Sequence, residues 1–239
     1  MTPRLSLIMA YYDNPKMLAT QYAHWQKLND TLKDKLEVII VDDGSPRWPA
    51  ADVPRPVGLP VLRIYRVGED KPWHQNAARN IGAFEAKGQW LLLTDMDHMV
   101  PEGTFEKSLK GKIQFAYMFD RIDHSTGKQT LDRYGRPKPH PNTFLMTHEK
   151  YWKIGGYDER TCGYYGTDSF FRQRIKDNTK ILLMPAPVIR FDRKDVDDAS
   201  TTTLLRKEGR VHGWRHRLQK LMELDPGTRT LQTKWERVV

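Results

Sequence analysis

The chain predicts an α/β fold, a mostly parallel sheet flanked by helices with a smaller region beyond it. Three observations carry that prediction. Short apolar runs alternate with segments of helical spacing over the first hundred residues. Two of the runs end in paired acids, Asp42-Asp43 and Asp95-Met96-Asp97, where the ligands of such sheets sit. Of 239 residues 38% are hydrophobic, with seven Trp, ten Tyr and eight Phe, enough bulk for one sizeable core.

Taken in order, residues 5–10 read as a buried strand stopped by Asp13-Asn14-Pro15. Met17, Leu18, Tyr22, Trp25 and Leu28 predict a helix over 16–34. Residues 36–41 form a second strand, 46–60 a Pro-rich surface loop, and 61–66 a third strand. A helix is expected over 73–87, with Ala77, Ile81 and Phe84 on one face and Gly88 ending it. Residues 90–94 are a fourth strand running into Asp95. Beyond it, 115–119 and 142–146 read as strands, separated by a long loop over 123–141. A helix over 167–177 follows, then a last strand over 180–191 broken by Pro185 and Pro187. Residues 204–223 read as a basic helix, and the chain from Asp225 as a loose tail.

The net charge of +9 is one-sided. Residues 1–100 hold 12 Lys+Arg and 12 Asp+Glu, so of the totals of 39 and 30 the remaining 27 and 18 lie beyond them. Such a surface attracts polyanions or is simply a solvated face. No run approaches the roughly 20 apolar residues of a membrane span, no secretory signal is evident, and Cys162 has no partner for a disulfide. A cytoplasmic chain without stable membrane insertion is expected.

Three segments can carry chemistry. Asp95-Met96-Asp97 sets two carboxylates just past a buried strand. Turned together they suit a hard cation, Mg²⁺ or Mn²⁺, that bridges a diphosphate; alone, the triplet equally caps a turn. Val41-Asp42-Asp43-Gly44-Ser45 offers carboxylates to a base N–H or ribose hydroxyl, or is an ordinary Asp-Gly turn. Asn76-Ala77-Ala78-Arg79-Asn80-Ile81-Gly82 puts Arg and Asn on a helix whose inner face needs partners for them. Aromatic residues cluster over 151–171 as core or as sugar-stacking surface, and cations interleave with Trp214 over 206–217 as a nucleic-acid groove or a solvated helix.

In order and spacing these segments resemble glycosyltransferase family 2 and related GT-A enzymes. The shared pattern is an early strand, Val41–Ser45, Ala78–Gly82 and the Gly88–Asp97 strand, returning at Gly155-Gly156-Tyr157-Asp158-Glu159. The resemblance implies a Rossmann-like GT-A sheet with a donor half over 1–105, an acceptor and catalytic half over 106–200, and a basic helix and tail over 201–239. It implies a metal-dependent, inverting transfer from a nucleotide sugar, a UDP-sugar foremost, to an acceptor hydroxyl. Ala10, Tyr12, Asp42, Asp43, Arg79, Asp95 and Met96 would hold the donor. Asp95 and Asp97, with Asp192, His212 or water as a further ligand, would hold Mn²⁺ or Mg²⁺. Asp168 would be the general base, and Tyr157, Asp158 and Tyr165 would face the acceptor. The chain departs from the pattern at Thr167, where the family usually has Glu, and at Arg190-Phe191-Asp192, where relatives often place a histidine ligand.

The acceptor is expected to be a glycan, a small molecule or DNA carrying hydroxymethylated bases, as some phage-encoded transferases use. A non-catalytic carbohydrate- or nucleotide-binding module of the same shape is the rival from another class, disfavoured by the intact Asp95/Asp97 pair. A nucleotidyltransferase lacks its Gly-rich, Lys-bearing phosphate loop at residues 10–16.

Overall fold

The computed structural model describes residues 3–192, 196 and 214–239. One mixed sheet of nine strands runs through the described residues. Its parallel centre is β1 (Leu5–Tyr11), β2 (Leu36–Asp42), β3 (Val61–Val67) and β4 (Trp90–Asp95). β1 lies between β2 and β4, so β2 and β4 deliver their aspartates to the carboxyl edge on either side of Tyr11 and Ala10. The remaining strands are β5 (His98–Met99), β6 (Ala116–Asp123), β7 (Phe144–Thr147), β8 (Ile181–Arg190) and β9 (Trp235–Arg237). Across the sheet the order is β5-β8-β6-β7-β4-β1-β2-β3-β9. β7 runs antiparallel to β4 and β6, which makes that half of the sheet mixed.

Near-continuous apolar runs fill the central strands because both faces are covered. Leu5, Leu7, Met9 and Tyr11 of β1 pack with Met17, Leu18, Tyr22 and Trp25 of α1 (Pro15–Gln26). Ile8 points the other way, onto Ala78 and Ile81 of α3 (Gln75–Glu85), with Phe171 and Ile175 of α6 (Asp168–Asn178) in the same layer. At Gly82 an added Cβ would stand 2.4 Å from Ile8 Cγ2, so the residue sets how closely α3 lies on the sheet. Three short helices complete the described N-terminal part: α2 (Asp30–Lys33), α4 (Glu102–Ser108) and α5 (His148–Lys153). A last helix, α7, spans Trp214–Leu224.

Several expectations are corrected. The helix expected over 16–34 is two, because Asn29 caps a new start through its side chain to Leu32 N at 2.8 Å. Helix α3 stops at Glu85 with Ala86 already extended, so Gly88 does not end it. Phe84 faces outward, 53% exposed, against Trp235 at 5.8 Å. The two prolines do not break β8. The register steps from Phe119↔Met184 to Arg121↔Val188, so a bulge absorbs Pro185–Pro187. Lys107 and Thr104 of α4 donate to the Pro185 and Pro187 carbonyls at 2.7 and 2.8 Å. The 123–141 segment is an arm, not a structureless loop: Ile122 bridges Gln129 and Leu131 bridges Pro137. The tail from Asp225 is anchored, for β9 adds an antiparallel edge to β3. The basic helix expected over 204–223 is described only from Trp214; its first half, with His212, lies outside the described residues.

Candidate active site

A cavity of about 440 Å³ opens at the carboxyl edge of β1, β2 and β4. Ala10, Tyr12, Asp43, Asp95, Met96, Asp97, Tyr165 and Asp168 all line it, gathered from loops far apart in sequence. The sheet explains the convergence, since parallel strands end on one edge and each turn after them faces the same space.

Asp43 lines one wall. Its N–H donates to Tyr11 O at 2.8 Å, and His74 Nδ1 stands 3.3 Å from its Oδ1. Gly44 turns the chain there at φ 77°, a conformation costly for any residue with a Cβ. Asp42 does not reach the cavity. It is 1% exposed, and its oxygens accept from Ser45 N and Ala50 N at 2.8 Å each, so it holds the loop that follows. Burial raises the Asp42 pKa, and those backbone donors pull it down in part.

The Asp95/Asp97 pair is asymmetric. Asp95 is ion-paired to Arg79, whose side chain is fully buried. Asn142 Nδ2 donates to Asp95 Oδ2 at 3.2 Å, and His140 Nε2 lies 3.4 Å from it. Burial works against its charge, but Arg79 and His140 outweigh burial and hold the carboxyl well below the usual range. His140 itself is pushed down to about 4 by burial and by His98, stacked on it at 3.7 Å. Asp97 instead leans on His98 Nδ1 at 2.8 Å and keeps a face on the cavity. Its oxygens suit a hard cation. Among the described residues no group of three His, Cys, Asp or Glu side chains is arranged to hold a metal ion. Asp97 and Asp95 are the carboxylates that could hold one, and Mg²⁺ is commonly held by one or two carboxylates with phosphate and water at its other positions.

Asp168 opens α6 at the opposite wall, with Gln75 Nε2 donating to it at 3.4 Å. Burial raises its pKa; Arg79 opposes and Asp95 adds to the rise. Thr167 beside it accepts from Asn76 Nδ2 at 3.1 Å, a tie to α3. Tyr165 and Trp73 meet at 4.8 Å over the cavity.

Two expected acceptor residues do not reach this space. Tyr157 is buried behind Arg79, whose Nη1 donates to its hydroxyl at 3.1 Å. Asp158 is buried too, paired with Arg160 at 2.6 Å and near Arg174 at 3.9 Å. Their motif builds the floor under Arg79. Asn80 ties it in, donating to Tyr157 O and Glu159 Oε1 at 2.8 Å. Sequence reasoning missed His140, Asn142, Arg121 and Lys138 as cavity residues, because His140 and Lys138 come from the loop without a periodic signal and Arg121 and Asn142 from its two edges.

A family model described as "Glycosyl transferase family 2" matches residues 6–165. Among curated proteins no sequence matches. A crystal structure of S. aureus TarS aligns with a TM-score of 0.63 at 13% identity, covering 93% of this chain and 75% of that one. TarS in complex with UDP-GlcNAc aligns at 0.62 and 14%, over 80% and 59%. GalNAc-T7 with UDP, GalNAc and Mn²⁺ aligns at 0.57 and 16%, over 80% and 44%. These likenesses establish the fold, an α/β sheet of the GT-A kind.

Proposed function

The chain belongs to glycosyl transferase family 2, and on that premise we propose that it moves a sugar from a nucleotide sugar, a UDP-sugar foremost, to an acceptor hydroxyl with inversion. The observation that carries this reading is that Asp43, Asp97 and Asp168 face one cavity from three sides. Two solved structures of the same fold hold UDP-GlcNAc and UDP with Mn²⁺, which supports a UDP-linked donor here.

Asp43 receives the base or ribose, with Ala10, Tyr12 and Met96 lining that end. Arg79 holds Asp95 fixed from below. Asp97, with Asp95, would hold Mn²⁺ or Mg²⁺, which when bound neutralises the departing diphosphate. Asp168 takes the proton of the acceptor hydroxyl as that oxygen attacks the anomeric carbon. One base and direct displacement invert the centre. A positioned base is typically worth about 10²–10⁴ in rate. Tyr165 and Trp73, at the cavity mouth, offer a stacking face to the sugar or acceptor.

The test is a thermal-shift screen of UDP-, GDP- and TDP-sugars with Mn²⁺ and with Mg²⁺. A ligand of the native state raises its melting temperature in proportion to RT ln(1+[L]/Kd). A donor that stabilises the chain and is turned over with inverted anomeric configuration supports the reading. A chain that no nucleotide sugar stabilises with either cation is the non-catalytic or differently specific module.

A further inference from the structure

The cavity wall opposite Asp43 carries two guanidinium groups that the donor reading does not use. Arg121 on β6 pairs with Val188 on β8, and Arg190 lies two residues beyond Val188, so both arginines share one face of the sheet. Both line the cavity. Arg121 is 9% exposed, and among the described residues the one hydrogen bond of its side chain runs from Nε to Lys138 O at 3.2 Å. No carboxylate of the described residues lies within salt-bridge distance of it. Arg190 has Asp192, with Nη2 at 3.1 Å from Oδ2. Burial lowers the Arg121 pKa and Arg190 lowers it further, while Asp97 and Asp95 oppose that shift.

Burying the Arg121 cation beside Arg190, whose side chain is 31% exposed, is costly unless an anion is expected between them. The planar fork of arginine matches the oxygens of phosphate. The arm leads to the same place. Lys138 returns from it into the cavity wall, and at its tip Tyr134 lies under Arg133 and Arg136 at 4.6 and 5.1 Å. We propose that Arg121 and Arg190 form a phosphate-binding subsite in the cavity wall. It rests on the glycosyl-transfer reading only for whose phosphate it takes: the donor's diphosphate or a phosphate carried by the acceptor.

Calorimetric titration of the full chain with pyrophosphate in EDTA tests it. The parent chain binds, Arg121→Gln loses about ten-fold or more in affinity, and Arg121→Lys recovers part of the loss. Arg133→Gln, at the arm tip, leaves the affinity unchanged. The melting temperature of each apo variant, read alongside, separates a lost contact from a lost fold. Titrating inorganic phosphate into UDP-saturated protein separates the sources. Binding that survives UDP and still needs Arg121 assigns the phosphate to the acceptor. Competition with UDP, together with weaker UDP but unchanged uridine affinity in Arg121→Gln, assigns it to the donor. Equal pyrophosphate affinity in the parent, Arg121→Gln and Arg190→Gln overturns the proposal. A chain that binds pyrophosphate through Arg121 but no nucleotide sugar overturns the proposed function and leaves this subsite standing.

Discussion

Two aspartates one residue apart do different work because their neighbours differ. Asp95 is clamped between Arg79 and Asn142, whereas the Asp97 carboxylate has among the described residues one hydrogen bond, with His98. Removing one partner of a buried pair leaves an unpaired charge, so Arg79→Ala should cost about 3–5 kcal/mol in urea unfolding. Asp97→Ala should cost no more than about 1 kcal/mol yet abolish Mn²⁺-dependent donor binding. A variant that turns donor over at the parent rate would remove Asp97 from the metal site. Asp168 supplies the pH dependence. A base must be ionised, and burial raises its pKa, so activity should fall as pH drops through a value above the free aspartate's 3.9 or so. Asp168→Asn should keep donor affinity, lose about 10²-fold or more in transfer, and lose that acid limb. A pH–rate profile with the limb unchanged would assign it to another group. The places of Asp95 and Asp97 at a strand end and of Asp168 at a helix start were legible in sequence; that Asp42 serves the loop was not, since both acids of that turn look alike in sequence.

At the scale of elements, packing outranks propensity. Helix α3 reads as amphipathic in sequence, but its seat on β1 depends on the missing Cβ of Gly82. Gly82→Ala gains helix propensity and still should destabilise by about 1–3 kcal/mol, measured by chemical unfolding, because Ile8 has no room to yield. A neutral or stabilised variant would show that the helix shifts freely. The tail is the clearest gain over the sequence reading. Glu159 accepts from Leu231 N and Gln232 N at 2.6 and 2.9 Å, and Thr233 faces His74 Nε2 at 3.0 Å, which in turn stands by Asp43. Glu159→Ala should therefore cost about 1–3 kcal/mol by leaving those N–H groups unpaired. Thermal melts of that variant with and without donor check it, and loosened donor affinity would show the strap reaching Asp43. No pattern in 225–239 marks a strand, because an edge strand of three residues is fixed by its partner and not by periodicity.

For the whole molecule, the excess charge beyond residue 100 predicts behaviour toward polyanions. If the acceptor is anionic, binding releases counterions and log affinity falls linearly with log salt. Replacing Lys128, Arg133 and Arg136 on the arm with Ala should flatten that slope for duplex or single-stranded DNA, with donor affinity unchanged. A slope insensitive to the arm, or affinity insensitive to salt, points to a neutral acceptor. Among the described residues no helix is long and apolar enough to cross a membrane.

By itself the sequence determined the alternation that makes a parallel α/β centre, the strand ends where Asp43, Asp95 and Asp97 emerge, and Asp168 at a helix start. These are local properties: apolar periodicity, turn chemistry and the distance along the chain between them. Only the tertiary structure decided which of those groups share a cavity. It buried Tyr157 and Asp158 beneath Arg79, brought His140 and Asn142 to Asp95 from the end of the long loop and the residues just after it, and set Arg121 beside Arg190 across two parallel strands. The reason is physical. Strand pairing, register and the bulge at Pro185–Pro187 fix which side chains share a face, and these contacts form between residues tens of positions apart.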